Sequence, residues 1–165
     1  MVEKNGEKKQ IFQIVCVVDD LDKTLANWKR LVEFDTASIK LGSRGRDDKS
    51  LYRGKEISCP IRFARFDLGG VDIKIVEPAN KSGDPYSDCL REKGQGFHHI
   101  GLYAESQDAL LEKYKMLQLA PVFEERDACG QYQLFDFDKR IGLSIALSGS
   151  MVGPCGERDA AGKTK

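Results

Sequence analysis

The sequence is short of histidine. It has two in 165 residues, and they are neighbours, His98 and His99. Any imidazole chemistry is therefore confined to one segment. Its five cysteines, Cys16, Cys59, Cys89, Cys129 and Cys155, are odd in number and widely spaced, with no C-x-x-C pair. That argues against a disulfide scaffold and points to a reduced, cytoplasmic protein. No run of about 18 apolar residues occurs, so no segment reads as a membrane-spanning helix. Neither sign of charge is in excess, with 26 Lys+Arg against 26 Asp+Glu, which gives no electrostatic case for nucleic acid or an anionic membrane surface. The chain lacks a G-x-S-x-G elbow, a phosphate loop and a dinucleotide fingerprint. Gly94-x-Gly96 precedes a strand rather than a helix, so it is not a nucleotide cradle. The first ten residues are charged and carry no apolar stretch like that of a signal peptide.

Hydrophobic residues make up 41% of the chain, enough for a core, and they repeat. One constant offset aligns Ile14 with Ile100, Leu25 with Leu111, Trp28 with Tyr114 and Leu31 with Leu117. Each stretch reads as a strand, a cap and an amphipathic helix, with Leu21, Leu25, Trp28 and Val32 on one helical face and Asp20 and Ser106 as N-caps. Further strands follow in the same order. Phe63 to Asp67 matches Tyr132 to Asp136, and Val71 to Val76 matches Ile141 to Leu147. Phe63, Phe66, Tyr132 and Phe135 read as core. Each half is thus βαβββ, and an internal duplication of this kind decides the fold. The class is α+β, with two tandem βαβββ modules forming a cupped mixed sheet and helices outside. Boundaries fall at a flexible N-terminus (1–10), one domain (11–148) and a flexible tail (149–165). Within the domain, modules at 11–78 and 97–148 flank a linker (79–96) that holds a short helix at Tyr86 to Lys93. The segment Lys40 to Glu56, with Arg44, Arg46, Lys49, Arg53 and Lys55, reads as a solvated loop or a basic lip that attracts an anionic substrate.

Two tandem βαβββ units resemble the vicinal-oxygen-chelate superfamily, which includes glyoxalase I, extradiol dioxygenases, antibiotic-resistance proteins and methylmalonyl-CoA epimerase. The stretch Ile73-Lys-Ile-Val-Glu-Pro78, then Asp84-Pro85, then Leu90 to Leu102 with Gly94-Gln-Gly96-Phe-His-His-Ile, is similar to the epimerase branch. In that family, four inward strand positions hold a divalent metal. Carried over, they fall on Gln13, Lys74, His99 and Ala146, the last shifting to Ser144 if the register slips. A lysine ammonium has no lone pair to give, and alanine has no ligand atom. The expectation is therefore a site without metal and without cofactor.

Strand alternation puts His99 in the cup and His98 on the opposite side, against a helix. What the resemblance implies is proton transfer at a carbon next to a carbonyl. Here Lys74 and Gln13 would replace the metal as enolate stabilisers, and either His99 or Lys74 would act as acid or base. Glu125 and Asp136 are further carboxylates that could serve as base, and Asp72, Tyr103, Ser144 and Asp136 are expected to line the substrate. The expected partner is a small carbonyl compound, either a ketone such as an isoflavanone of the dihydrodaidzein type or an acyl-CoA such as methylmalonyl-CoA. A homodimer is expected, with no nucleic-acid or membrane partner. The alternative is a non-catalytic module that sequesters a small molecule in the same cup.

Overall fold

The computed structural model describes residues 10–103, 107–127, 130–149 and 158–159. The first module runs β1 (Gln10–Val17), α1 (Leu21–Leu31), β2 (Lys40–Arg44), β3 (Lys49–Tyr52), β4 (Lys55–Ser58), β5 (Ile61–Leu68) and β6 (Val71–Pro78). Helix α2 (Pro85–Lys93) links it to the second module. That module contains β7 (Gly96–Tyr103), α3 (Gln107–Met116), β8 (Phe123–Asp127), β9 (Gly130–Phe135), α4 (Asp138–Ile141) and β10 (Ser144–Ser148). A two-residue strand, β11 (Arg158–Asp159), pairs with β2, so this part of the tail adds to the sheet rather than hanging free. The expected flexible N-terminus (residues 1–9), the Ser106 cap and the rest of the tail lie outside the described residues.

Among the described residues, one sheet of eleven strands forms in the order β11-β2-β5-β6-β1-β7-β10-β9-β8-β3-β4. In each module the first strand runs parallel to the last, β1 to β6 and β7 to β10. The modules join through the antiparallel β1–β7 pair, where Ile14 sits opposite Ile100. Residues equivalent in the internal repeat thus face each other, as a pseudo-two-fold axis between the modules requires.

The helices form where the sequence caps them. Asp20 accepts from the Lys23 N–H at 2.9 Å to start α1, and Lys29 and Arg30 close it at the end where the helix dipole favours cations. Leu21 and Leu25 pack on the outer face of the sheet with Ile73, Ile75 and Phe66. Trp28 meets the Phe66 ring edge-on at 5.1 Å. Helix α2 begins at Asp84, whose carboxylate takes the Tyr86 and Ser87 N–H groups, and Pro85 occupies the first turn, where its missing N–H costs nothing.

The segment 40–58 departs from the loop expected for it. It is β2 followed by the β3–β4 hairpin, and the hairpin leaves one end of the sheet to pair with β8 at the other, through Leu51 with Glu124 and Tyr52 with Phe123. Two sheet ends bridged by one hairpin mean a cup curled almost shut. No apolar alternation marks these strands, because the buried residues Arg44 and Ser50 are polar, Tyr52 is the one aromatic among the buried positions, and Leu51 is exposed. The inside of the cup is packed with Val15, Val17, Phe63, Val76, Tyr52, Phe123, Tyr132, Leu134 and Ala146. Phe63 and Tyr132 face this interior, while Phe66 and Phe135 pack on the helix side, so all four belong to the core.

Candidate active site

The four inward positions marked by the repeat lie on neighbouring strands at the centre of the cup. Gln13 is 1% exposed, Lys74 2%, and His99 and Ala146 0%. Gln13 pairs across the sheet with Asp72, and His99 with Ser144. The Gln13 amide Nε2 donates to Asp72 Oδ2 at 2.6 Å, and the same carboxylate is held by Arg65 at 2.8 Å. The Lys74 ammonium lies over the Phe63 ring, 4.7 Å from its centroid, a favourable seat for a cation in an apolar wall.

His98 does not point away from the site. Val15 pairs with His99 and Cys16 with Phe97, so His98 is the extra residue of a β-bulge. A bulge breaks the alternation of sides that the sequence pattern assumes. The two imidazoles consequently meet, with Nδ1 to Nδ1 at 2.7 Å. His98 Nε2 stands 3.0 Å from the Pro85 carbonyl, and its ring also packs on Tyr86 of α2, so the expected helix contact is present. His99 Nε2 stands 2.6 Å from the Tyr132 hydroxyl.

With both rings neutral, these contacts assign every proton. A carbonyl only accepts, so His98 Nε2 carries hydrogen and its Nδ1 accepts from His99 Nδ1–H. His99 Nε2 then accepts from the Tyr132 O–H. One unbroken chain, Tyr132 to His99 to His98 to Pro85, satisfies all donors with both rings neutral. The electrostatics agree. Burial holds the His99 pKa well below its ordinary 6.5, with His98 and Lys74 adding to the effect, and burial also lowers that of His98.

The outer end of the chain reaches solvent. His98 lines a cleft of about 110 Å³ at the mouth of the cup, with Tyr52, Lys93, Asp136, Asp138 and Ser144 among its walls. Tyr52 donates to Asp88 Oδ2 at 3.0 Å, tying the hairpin to α2. Burial and that carboxylate push the Tyr52 hydroxyl up to about 12. On the other side Ser144 donates to Asp138 at 3.0 Å, and Asp138 is also paired with Lys93.

The family ligand set does not fit a divalent ion here. Both nitrogens of His99 are engaged, an ammonium stands at the second position and a methyl group at the fourth. Among the described residues, no group of three or more His, Cys, Asp or Glu side chains is placed to hold a metal.

This architecture has known counterparts. The model of the Glyoxalase/Bleomycin resistance protein/Dioxygenase superfamily matches residues 12–132. The chain belongs to that superfamily. Among solved structures, methylmalonyl-CoA epimerase from Mycobacterium tuberculosis is similar at 17% identity and a TM-score of 0.61, covering 89% of this chain and 91% of that one. A hypothetical protein from Bacillus halodurans C-125 matches at 16% identity and a TM-score of 0.61, covering 86% and 94%. Streptomyces coelicolor methylmalonyl-CoA epimerase, in complex with 2-nitronate-propionyl-CoA, matches at 15% identity and a TM-score of 0.55, covering 86% and 98%. No curated protein matches the chain significantly in sequence.

Of the residues marked by sequence, Gln13, Lys74, His99 and the half-buried Asp72 share the inner face of the cup. Tyr103 is half-buried at the far end of β7, beside Ser148. Ser144 and Asp136 sit at the mouth, where Asp136 is exposed and caps the Asp138 N–H at 3.2 Å. Sequence reasoning missed His98 and Tyr132 as members of the site, and Arg44 as a buried group. Tyr132 was legible as core only, because its ring packs while its hydroxyl works.

Proposed function

We propose that the chain is a metal-independent isomerase, a racemase or epimerase, that removes and returns a proton at a carbon next to a carbonyl. What supports this reading is the enclosed cup, in which Lys74 and His99 occupy two of the positions that the resemblance assigns to metal ligands, with His98 hydrogen-bonded behind His99. Loss of the α-proton places negative charge on the carbonyl oxygen. A fixed ammonium in a water-excluded site stabilises that charge by a few kcal/mol, as an oxyanion donor does. Gln13, oriented by Asp72, is a second polar group beside it. A structure of similar fold, a methylmalonyl-CoA epimerase, is in complex with methylmalonyl-CoA and NH4+; lysine supplies the same ionic group on a tether.

The α-proton goes to the Tyr132 oxygen as its own hydroxyl proton passes to His99 Nε2 and the His99 Nδ1 proton passes to His98 Nδ1, and the same path run backwards returns a proton to the carbon. His98 then holds the positive charge, beside the cleft and away from the more strongly depressed His99. The substrate is a small carbonyl compound, whether a ketone of the isoflavanone type or an acyl-CoA such as methylmalonyl-CoA. The working unit is residues 11–148, paired as a homodimer and acting in the cytoplasm. No helix among the described residues is long and apolar enough to cross a membrane. Sedimentation equilibrium of the full chain tests the dimer.

A second reading, a binding protein without chemistry, draws on the largely apolar cup wall of Val15, Val17, Phe63 and Leu134. Incubation with chiral ketones and acyl-CoAs in deuterated buffer separates the two. Deuterium at the α-carbon supports the isomerase, whereas tight binding with no exchange across the panel supports the binding protein.

A further inference from the structure

We propose that Arg44 is the substrate's carboxylate-binding residue, held by Glu125 in the closed cup and exchanged onto the substrate's carboxylate. The inference rests on the reading above and names its substrate class: a carbonyl compound that also carries a carboxylate.

Arg44 and Glu125 lie at opposite ends of the curled sheet, on β2 and β8, yet they form an ion pair inside the cup with each residue 6% exposed. Arg44 Nη2 also donates to Ser50 Oγ at 2.5 Å and approaches the Lys49 carbonyl at 3.5 Å. Lys49 and Ser50 belong to the hairpin, and Glu125 to β8, the strand on which the hairpin docks. When the hairpin lifts, Nη2 loses its hairpin partners and Glu125 alone holds the guanidinium. That hold is also incomplete. Arg44 Nε is buried and has no hydrogen-bond partner among the described residues. A buried guanidinium donor left unmatched is costly, and a planar carboxylate satisfies Nε together with Nη in one bidentate contact.

The hairpin is weakly attached for an element that seals a core. It meets β8 through two residue pairs, against eight between β5 and β6. Further bonds hold it, namely the Arg53 N–H to the Val122 carbonyl at 2.8 Å, Tyr52 to Asp88 at 3.0 Å and Asn80 Nδ2 to the Ser58 carbonyl at 3.0 Å, beside those from Arg44. His99 is wholly enclosed, so a ligand reaches it only when part of the wall around it moves. Arg44 and Lys74 both face the interior of the cup, Arg44 level with Pro78 through Ile61 and Lys74 four residues earlier on β6. A carboxylate on Arg44 thus binds in the same interior that holds Lys74.

Calorimetric titration of the full chain with malonate, and with dimethyl malonate as its uncharged counterpart, tests the assignment. Glu125→Gln removes the competing carboxylate and should tighten malonate binding at least fivefold. Arg44→Gln should weaken it at least tenfold, and dimethyl malonate should show neither change. If Arg44→Gln fails to fold, the Arg44→Gln/Glu125→Gln double variant leaves a neutral pair and should also lose malonate. Malonate binding that is absent from both wild type and Glu125→Gln, or equal in all folded variants, overturns the proposal. Deuterium exchange by the wild type reports the isomerase reading separately: binding that follows the expected pattern without exchange keeps Arg44 and sinks the isomerase.

Discussion

In the proposed mechanism Lys74 stands in for the metal ion. Its strand, Val71 to Pro78, reads as a buried apolar run, and a charge buried in such a run is costly unless it is paired. Lys74→Met keeps the length of the side chain and removes the charge. We expect it to slow α-deuterium exchange by about 10²- to 10³-fold, the usual effect of deleting an oxyanion donor, with an unchanged far-UV circular dichroism spectrum. His99→Ala should abolish the relay and also lower stability by about 1–3 kcal/mol for the buried His98 Nδ1 left unmatched. The same histidines make stability depend on pH. Their folded pKa values lie below the 6.5 of a free imidazole, so between the two values the unfolded chain binds more protons than the folded one. Stability is then full above about pH 6.5 and falls as pH drops below it, by up to about 1.4 kcal/mol per unit for each ring. Urea melts at pH 7.5 and pH 5 check this, and the slope should flatten in a His99 variant that still folds.

At the scale of elements, two departures from regular strand structure determine the site. The first is the bulge at His98, which turns one histidine of an adjacent pair toward the other. Side-chain alternation assigns His99 to the cup from sequence alone, but a bulge depends on the register between β1 and β7 and leaves no trace in the spacing of residues. A second irregularity in the same pair, between Ile11 and Gln13, lets the Phe12 ring lie against Gly101. A Cβ at Gly101 would come within 2.9 Å of that ring, so Gly101→Ala should cost about 1–3 kcal/mol through overpacking, measurable as a lowered melting temperature. The other departure is the β3–β4 hairpin, whose buried residues are a serine, Ser50, and a single aromatic, Tyr52, and whose partner strand lies in the other module. Local pattern cannot reveal a pairing between Tyr52 and Phe123. Tyr52→Phe removes the bond to Asp88, and faster amide hydrogen exchange over 49–58 than over β5 and β6 should follow.

The whole molecule was the most legible scale. A repeat that aligns Ile14 with Ile100 specifies two modules and a pseudo-two-fold axis, and the β1–β7 pair sets those two residues opposite each other. The repeat also carries the chemistry, since Gln13 and His99 are equivalent positions, as are Lys74 and Ala146. Gln13, Lys74 and His99 carry polar groups and Ala146 does not, so duplication supplied four inward positions and divergence left an asymmetric set, with the cation from one module and the imidazoles from the other. Deuterium exchange at the α-carbon of a carbonyl substrate, run with and without a strong chelator, tests this most directly. We expect equal rates in both conditions and a loss of exchange in Lys74→Met. Exchange that stops on chelation, or that persists undiminished in the lysine variant, would contradict the claim that Lys74 has taken the place of the metal.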